Sequence, residues 1–298
     1  MIKRTVEISR PAHLSVSRAQ LVIKAKESDA ELSVPIEDLG VLVLDDSGIT
    51  HSTAALLACM KNNVAVVLCD ERHLPAGLLQ PFEGHTLFQK HLRDQLDASQ
   101  PQKKQLWQRI IQAKLKAQAT ILQKHTGNDA HIGKLAAQVR SGDPDNLEAY
   151  AARRYFSSLF GENFTRNPDL GGINSAMNYG YALLRAAVAR SIVGSGMHPA
   201  LGIWHKNQYN AFTLADDLVE PLRPSADSLI ASRMAEHPLN DEPMLNRHWR
   251  TTLLQLLQQE YRIGDRTFPL LVALQHYTSS IRQYLSREVE ELETPVLL

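Results

Sequence analysis

The stretch Lys103-Lys-Gln-Leu-Trp-Gln-Arg-Ile-Ile-Gln-Ala-Lys-Leu-Lys-Ala-Gln-Ala-Thr-Ile-Leu-Gln-Lys124 divides the 298-residue chain into two kinds of pattern. It predicts a long helix from about residue 103 to 124, because apolar residues recur along it at helical spacing. That face is marked by Trp107, Ile110, Ile111, Leu115, Gln118, Ile121 and Leu122. The other faces are basic, since residues 90–127 contain eight Lys and Arg against two Asp.

Upstream of this helix the apolar runs are short and rich in β-branched residues, which is typical of strands. They predict strands at residues 5–8, 20–23, 31–34, 41–44 and 64–69. One helix interrupts them at residues 54–60, where Ser52 and Thr53 offer an N-cap and Asn62 with Asn63 ends the helix. Downstream, helical spacing predicts further helices at about residues 144–160, 174–193, 248–259 and 269–288.

These patterns together predict an α+β protein of two domains. A small β-rich domain covers residues 1–83, residues 84–102 form a linker, and residues 103–298 form a larger all-helical domain.

Composition excludes several classes of protein. Hydrophobic residues make up 44% and charged residues 21% of the chain, so a disordered or low-complexity protein is excluded. The first seven residues introduce charge too early for a secretory signal, and no apolar run reaches the roughly 18 residues that cross a bilayer. Cys59 and Cys69 lack the spacing of a zinc site. We therefore expect a cytoplasmic protein with reduced thiols and no membrane partner.

The first candidate for a functional residue is Glu148. Asp143 and Pro144 are predicted to be the N-cap and first residue of the helix at 144–160, which places Glu148 in the second turn on the apolar side, with Tyr155. A lone glutamate there usually compensates the helix dipole or pairs with an arginine. The functional alternative is a carboxylate turned inward and held by a metal, since an unpaired buried charge costs several kcal/mol.

The second candidate region starts at His205, which closes an apolar stretch and opens a polar loop. A lone histidine is usually a hydrogen-bonded loop or core residue. The segment Leu214-Ala-Asp-Asp-Leu-Val-Glu-Pro-Leu-Arg-Pro224 then adds three carboxylates among apolar neighbours. Asp217 and Glu220, at i and i+3, point the same way if that turn is helical. The alternative is that Asp216 or Asp217 is an ordinary N-cap.

Glutamate, histidine and aspartate drawn from separate helices form a hard donor set of oxygen and nitrogen. This set suits Mg²⁺ or Mn²⁺ rather than structural zinc. Such an ion polarises a phosphoryl oxygen and organises an in-line displacement at phosphorus. Metal-assisted phosphodiester chemistry is therefore the predicted class of reaction.

The same residues carry a resemblance to a known family. Glu148 in a helix with Tyr155-Phe156, the run Asn174-Ser-Ala-Met-Asn-Tyr-Gly-Tyr-Ala-Leu-Leu-Arg185, His205 and the segment 214–224 resemble the CRISPR-associated spacer-acquisition integrases, the larger of the two universal adaptation proteins. The resemblance runs nearly end to end. It is strongest to members encoded beside a single RNA-guided effector nuclease. It implies a β-rich dimerisation domain followed by a helical catalytic and DNA-binding domain.

The resemblance implies a metal-dependent DNA endonuclease and integrase. Such an enzyme joins the 3′-hydroxyl ends of short duplex DNA into the CRISPR repeat array by transesterification. The family's ligands for Mg²⁺ or Mn²⁺ fall on Glu148, His205 and Glu220, with Asp217 as a supporting catalytic carboxylate. His205 acts either as a ligand or as a proton shuttle to the leaving oxygen. The implied partners are double-stranded DNA, a second copy of the chain, a dimer of the small adaptation protein flanked by two such homodimers, and the effector nuclease.

Candidate DNA contacts lie outside the metal ligands, on the basic face of the helix at residues 103–124, which could track a duplex backbone, and on arginines further along the chain. They are Lys103, Lys104, Lys114, Arg153, Arg154 and Arg223. Arginine in particular forks onto phosphates, while a solvated helix face is the ordinary alternative for any one of these residues. The overall balance of 32 Lys and Arg against 32 Asp and Glu conceals a net of −3 in residues 1–83 and +7 in residues 84–287. Neutrality therefore does not exclude DNA as a partner.

Two other classes stay open on the sequence alone. A branched-DNA or repair nuclease would share the site without the integration step, so that its products would be cut strands and not joined ones. A non-catalytic DNA scaffold would use the carboxylates structurally and would show no Mn²⁺ or Mg²⁺ binding that depends on His205.

Overall fold

The N-terminal part of the molecule is built mainly of strands. The computed structural model describes residues 3–28, 30–81, 84–242 and 244–298; the predicted boundary at residue 83 and the first two residues lie outside these ranges. The strands are β1 (Arg4–Ile8), β2 (Ala12–Ser17), β3 (Gln20–Ala25), β4 (Glu31–Pro35), β5 (Leu39–Leu44), β6 (Thr50–His51), β7 (Ala65–Cys69) and β8 (Pro75–Leu79). Helix α1 (Thr53–Lys61) lies between β6 and β7, and the Ser52 hydroxyl caps it as predicted.

These strands form two sheets. The first has the order β1-β5-β7-β8, with β1, β5 and β7 parallel and β8 antiparallel to β7. The second has the order β4-β3-β2-β6, and only its β2–β6 pair is parallel. Helix α1 lies in the connection between β5 and β7 and provides the crossover that two parallel strands require.

The central strand β5 joins the two parts of the molecule, because it is buried along its whole length. Val41 and Val43 face the core that contains the helices, whereas Leu42 and Leu44 face the core formed with β2, β3 and α1. Successive side chains of a strand point to opposite faces, so a fully apolar run is what a sheet covered on both faces requires. The β-rich part is therefore packed directly onto the helical part.

Helices dominate the rest of the chain. They are α2 (Phe88–Asp97), α3 (Gln100–Thr126), α4 (Ile132–Gln138), α5 (Leu147–Phe160), α6 (Ile173–Gly194), α7 (Thr213–Val219), α8 (Arg223–Arg233), α9 (Arg247–Leu254) and α10 (Leu270–Leu285). One 3-10 turn, Glu220–Leu222, joins α7 to α8, and a second, Gln255–Gln258, continues α9. The long helices α3, α6 and α10 lie where helical spacing predicted them. No helix in the described ranges is long and apolar enough to span a bilayer.

Several elements of this part were not expected, among them α2, α4 and a small sheet. Residues 84–102, predicted as a linker, contain α2, where the buried His91 donates from Nδ1 to the Ser195 carbonyl at 3.1 Å. Strands β9 (Glu260–Ile263), β10 (Arg266–Pro269) and β11 (Val296–Leu297) form a small antiparallel sheet within the helical part. Strands of two to four residues are too short to leave a recognisable period in the sequence.

Helix α6 lies at the centre of the helical part, and most of its residues are buried. A Cβ at Gly180 would lie 3.2 Å from side-chain atoms of Ala226 in α8 and Leu256. Glycine at this position therefore permits the close approach of α8 to α6. That approach places Tyr181 of α6 against Asp227 of α8, beside the turn that begins at Glu220.

Candidate active site

Glu148 lies in the first turn of α5, which begins at Leu147 rather than at the predicted Pro144. Asn146 has a positive φ of 51°, so the chain enters the helix only after it. The predicted cap is nevertheless correct in kind, because the Asp143 carboxylate accepts hydrogen bonds from the backbone N–H groups of Leu147 and Glu148, both at 3.0 Å. This cap fixes the start of the helix and with it the direction of Glu148.

Lys114 of α3 is the centre of the site. Its Nζ lies 2.6 Å from Oε1 of Glu148 and 2.5 Å from Oε2 of Glu220. Burial alone would lower the pKa of Lys114, but the carboxylates of Glu220 and Glu148 outweigh burial and raise that pKa. The prediction that Lys114 belongs to an exposed, DNA-facing side of this helix is wrong, because the residue is only 8% exposed and both carboxylates enclose it.

Glu220 opens the 3-10 turn between α7 and α8 and is buried. Its Oε1 lies 3.2 Å from Nη2 of Arg223, a second cation one turn further on. Burial opposes ionisation of this carboxyl, yet Lys114 and Arg223 together hold its pKa below the ordinary value. The guanidinium of Arg223, a predicted DNA contact, also lies 5.0 Å from the ring centroid of Tyr181, so it is partly committed inside the protein.

Asp217 is fully buried in α7 and holds the loop that contains His205. Its carboxylate accepts hydrogen bonds from the backbone N–H groups of Ile203 (2.6 Å), Trp204 (2.9 Å) and His205 (3.2 Å), and from Nδ1 of His205 (2.5 Å). Asp217 and Glu220 thus contact different partners. The alternative that Asp216 or Asp217 caps a helix is wrong, because α7 already begins at Thr213.

His205 is oriented by that contact and remains accessible. Nδ1 is bound to Asp217, the imidazole side chain is 49% exposed, and Nε2 has no hydrogen-bond partner within the described part of the chain. The hydrogen bond that Nδ1 of His205 donates to Asp217 raises the pKa of His205, and partial burial opposes this effect. The ring also lies edge-on to Trp107 of α3, with 5.4 Å between the ring centroids.

A pair of stacked indoles fixes the other side of the same loop. Trp204 lies parallel to Trp107, with 5.5 Å between the ring centroids and 5° between the planes. Further along the loop, Nε of Arg185 lies 2.7 Å from Asp216, and Asn210 donates to the same carboxylate at 2.5 Å. The loop is therefore anchored to α3, α6 and α7 before any ligand binds.

Behind the site, Tyr181 donates a 2.6 Å hydrogen bond to Asp227 of α8. Burial raises the pKa of Asp227 to about 7, even though the hydrogen bond from Tyr181 and the charge of Arg223 favour the ionised form. This pair supports the aromatic ring on which Arg223 lies.

The other predicted DNA contacts are distributed around the entrance. Lys103 lines an open groove of about 790 Å³ that also contains His205, Lys206 and Tyr209. Lys104 and Arg153 are exposed. Arg154 donates to the Ala130 carbonyl at 3.1 Å and to the Tyr150 hydroxyl at 3.0 Å, so its guanidinium is mostly engaged within the protein.

The donor set of this site fits a divalent cation. No three His, Cys, Asp or Glu side chains in the described ranges are arranged to hold a metal as they stand. The reason at this site is visible, since the ammonium of Lys114 lies between Glu148 and Glu220 and serves as their counter-ion. Two carboxylates and an imidazole with a free Nε2 are ligands that Mg²⁺ or Mn²⁺ accepts. The residues therefore fit a cation, and in this structure the ammonium of Lys114 lies between the two carboxylates.

Sequence reasoning missed the role of Lys114, although a signal for it exists. Lys114 follows Ile110 and Ile111 by four and three residues and precedes Gln118 by four, so it belongs to the apolar face of α3. A lysine at such a position must find a carboxylate inside the protein. The stack of Trp107 on Trp204 had no comparable signal, because it joins residues from distant parts of the chain.

The fold and the site together define a class of α+β protein. In this class, carboxylates from separate elements surround a buried cation, here the ammonium of Lys114, beside a histidine. The chain belongs to the family described as CRISPR associated protein Cas1, whose sequence model matches residues 7–259. This match confirms the family resemblance drawn from Glu148, His205 and the segment around Glu220.

Individual comparisons agree with this membership. The chain is 39% identical to the CRISPR-associated endonuclease Cas1 of Neisseria meningitidis serogroup C (strain 8013), over 100% of this chain and 97% of the relative. A solved casposase bound to integration product has the same fold, with a TM-score of 0.80 and 19% identity over 99% of this chain and 93% of that one. A chain of a Cas6-RT-Cas1–Cas2 complex superposes with a TM-score of 0.73 and 18% identity, over 96% of this chain and 35% of that one.

Proposed function

We propose that the protein is a metal-dependent DNA integrase and endonuclease of CRISPR adaptation, which joins the 3′-hydroxyl ends of short duplex DNA into the CRISPR repeat array. One observation carries the proposal: Glu148 and Glu220, from different elements, converge on a single cation beside an accessible His205. The curated Neisseria relative is named an endonuclease, and the casposase with the same fold is bound to an integration product.

Glu148, Glu220 and Nε2 of His205 would hold Mg²⁺ or Mn²⁺ at this site. Such an ion polarises a phosphoryl oxygen and stabilises the charge that develops at phosphorus. The Glu148 side chain is 25% exposed and can therefore be reached from solvent. A 3′-hydroxyl as nucleophile gives strand joining, and water gives hydrolysis.

The chain's own residues supply orientation and a proton. Asp217 holds Nδ1 of His205, so only Nε2 is presented to substrate. The raised pKa of His205 favours a proton on Nε2 that passes to the leaving oxygen if the ring is not a ligand. Lys103, beside His205 in the same groove, and the exposed Arg153 provide charges for backbone phosphates.

The partners follow the same proposal. Two homodimers, each formed through the β-rich part, would flank a dimer of the small adaptation protein and hold double-stranded DNA, with the effector nuclease as a further partner. Support comes from the fold shared with a chain of a Cas6-RT-Cas1–Cas2 complex. The protein would act in a reducing cytosol, which agrees with the free thiols of its two cysteines, Cys59 and Cys69.

The decisive experiment is an integration assay with Glu148→Ala. Wild type and variant are given a supercoiled target, a short duplex donor and Mn²⁺, with the small partner added or omitted. We expect the variant to lose joining and cutting by at least a thousandfold, because a ligand for the ion is removed. Glu162→Ala, which removes an exposed carboxylate just beyond the same helix, should retain both activities.

The products also separate the competing functions. A repair-type nuclease would give cut strands without joined ones, and a scaffold would give neither. Metal-dependent joining by a correctly folded Glu148→Ala protein, with a melting curve like that of wild type, would exclude the proposed site.

A further inference from the structure

The small sheet near the C-terminus has an edge with which no other strand of the described residues pairs. Its strand order is β10-β9-β11, so β11 is an outer strand. The N–H of Leu298 is directed to the Glu260 carbonyl of β9 at 3.4 Å. Alternate residues of a strand direct their N–H and C=O groups to opposite sides, so the N–H and C=O of Leu297 point away from β9. An edge of this kind is a template for another strand.

A groove of about 710 Å³ lies along this strand, between β11, helix α3 and the start of α8. Its volume falls in the range of roughly 300–1,000 Å³ that is typical of ligand sites. Much of its surface is apolar. The apolar contributors include Ala113, Ala117, Ile121, Pro221, Pro224 and Leu292. A wall of this composition suits alternate side chains of an extended peptide better than a phosphate backbone, which needs a continuous line of donors.

The groove also carries free positive charge. Lys116 of α3 and Arg262 of β9 line it, both are exposed, and neither side chain makes an ion pair or hydrogen bond to another described residue. Arg109 lines it as well, but its guanidinium is held by the Glu290 carbonyl and by the ring of Tyr284. Glu291 is the single acid among the lining residues. The charge of the groove is therefore complementary to an acidic occupant.

We propose that this groove docks an extended acidic segment of a protein partner, which adds to β11 as a further strand. The backbone of the segment pairs with Leu297, its apolar side chains lie on the α3 side of the groove, and its carboxylates meet Lys116 and Arg262. Strand addition of this kind takes its affinity from main-chain hydrogen bonds and its specificity from alternate side chains. Because Pro221 lines the groove, the occupant also contacts the turn that presents Glu220 to Lys114.

The charge requirement is tested with a fluorescein-labelled peptide in which glutamate and valine alternate, titrated with the full-length protein and followed by anisotropy. We expect saturable binding by wild type and a loss of about tenfold or more in Lys116→Glu/Arg262→Glu. Lys61→Glu/Lys134→Glu reverses two exposed charges elsewhere and should bind like wild type. Absence of saturable binding by wild type, or equal binding by the groove variant, would overturn the proposal.

The strand geometry is tested separately. N-methylation of alternate peptide residues removes backbone donors and leaves the side chains, so it should abolish binding to the unaltered protein. Leu297→Pro removes the outward N–H and should bind less tightly than Leu297→Ala, which keeps it. Equal binding of the methylated peptide would exclude strand addition. The same variant is also titrated with a labelled oligonucleotide. If Lys116→Glu/Arg262→Glu weakens binding of the oligonucleotide as strongly as binding of the peptide, the groove is a nucleic-acid surface and the proposal is overturned.

Discussion

The cluster around Lys114 and the cluster around Asp45 both hold carboxylates against cations inside the protein. Asp45, directly after β5, lies 2.9 Å from Nδ1 of His73 and 3.1 Å from Nε of Arg250 in α9. It therefore ties the β-rich part to the helical part. Lys114 lies between Glu148 and Glu220 and belongs to the helical part alone.

The two clusters differ in access rather than in chemistry. The Asp45 carboxylate is completely covered, whereas the Glu148 side chain is 25% exposed and the neighbouring His205 ring 49% exposed. A closed cluster holds one arrangement of the chain, whereas we expect an open one to exchange its internal cation for a ligand. Burial of an ion pair thus does not distinguish a structural cluster from a functional one. The property that we expect to distinguish them is the exposure of the cluster to solvent.

The largest expected change in stability is at the closed cluster. Asp45→Ala leaves the buried guanidinium of Arg250 without its carboxylate, which costs about 3–5 kcal/mol. Urea unfolding should show this loss, while Glu71→Ala, which removes an exposed carboxylate in the turn between β7 and β8 that contains His73, should unfold like wild type. Joining activity per folded molecule should be unchanged. A thousandfold loss of activity in folded Asp45→Ala would break the distinction between the two clusters.

The next largest effect concerns Asp227, behind the open cluster. Burial raises its pKa to about 7 in the folded protein from an ordinary value near 3.8. A carboxyl with a raised pKa stabilises the fold below its unfolded pKa and loses that contribution as the pH rises through its folded pKa. Wild type should therefore lose up to roughly 4 kcal/mol from this group between about pH 4 and 7.

The matched variant for that measurement is Asp227→Asn, which keeps an acceptor for Tyr181 and does not titrate. As the pH rises, wild type should lose stability relative to Asp227→Asn, and the difference between their free energies of unfolding should change accordingly. A difference that stays constant from pH 4 to 8 would show that Asp227 is ionised in the folded protein throughout.

A smaller effect is expected at Lys114 itself. Lys114→Gln removes the internal counter-ion, so that Glu148 and Glu220 repel one another until another cation binds. Mn²⁺ should then raise the melting temperature of this variant by about 2 °C or more beyond its effect on wild type. Lys116→Gln, two residues further along α3 and exposed, should respond to Mn²⁺ like wild type. An equal response of all three proteins would mean that Lys114 does not stand in for a metal.

The smallest effect is expected at the entrance of the open cluster. Lys103→Ala/Lys104→Ala should weaken duplex binding a few-fold and reduce the slope of log affinity against log salt by about 2, because each phosphate contact contributes about 1. Lys61→Ala in the β-rich part serves as the control. An unchanged slope would remove this part of α3 from the DNA surface.

Long patterns in the chain predicted their elements well. The structure contains β5, α3 and α6 at the places that the apolar run and the helical spacing predicted. These predictions succeed because each pattern repeats over many residues and each face of the element has a single environment, either solvent or core. Short elements were not predictable. Helix α2 and strand β11 are set by contacts with residues far along the chain, such as Ser195 and Tyr261.

The candidate site shows the same division. The residue types of Glu148, His205 and Glu220, and the hard donor set that they form, were readable in the chain, as was the order of a β-rich part before a helical one. Which charges meet was decided by the tertiary fold. Lys114 pairs with Glu148 across 34 positions because α3 and α5 pack together, and Asp217 reaches His205 because α7 turns toward the loop. Helical spacing specifies the face of a residue, but only the packing of one helix on another specifies its partner.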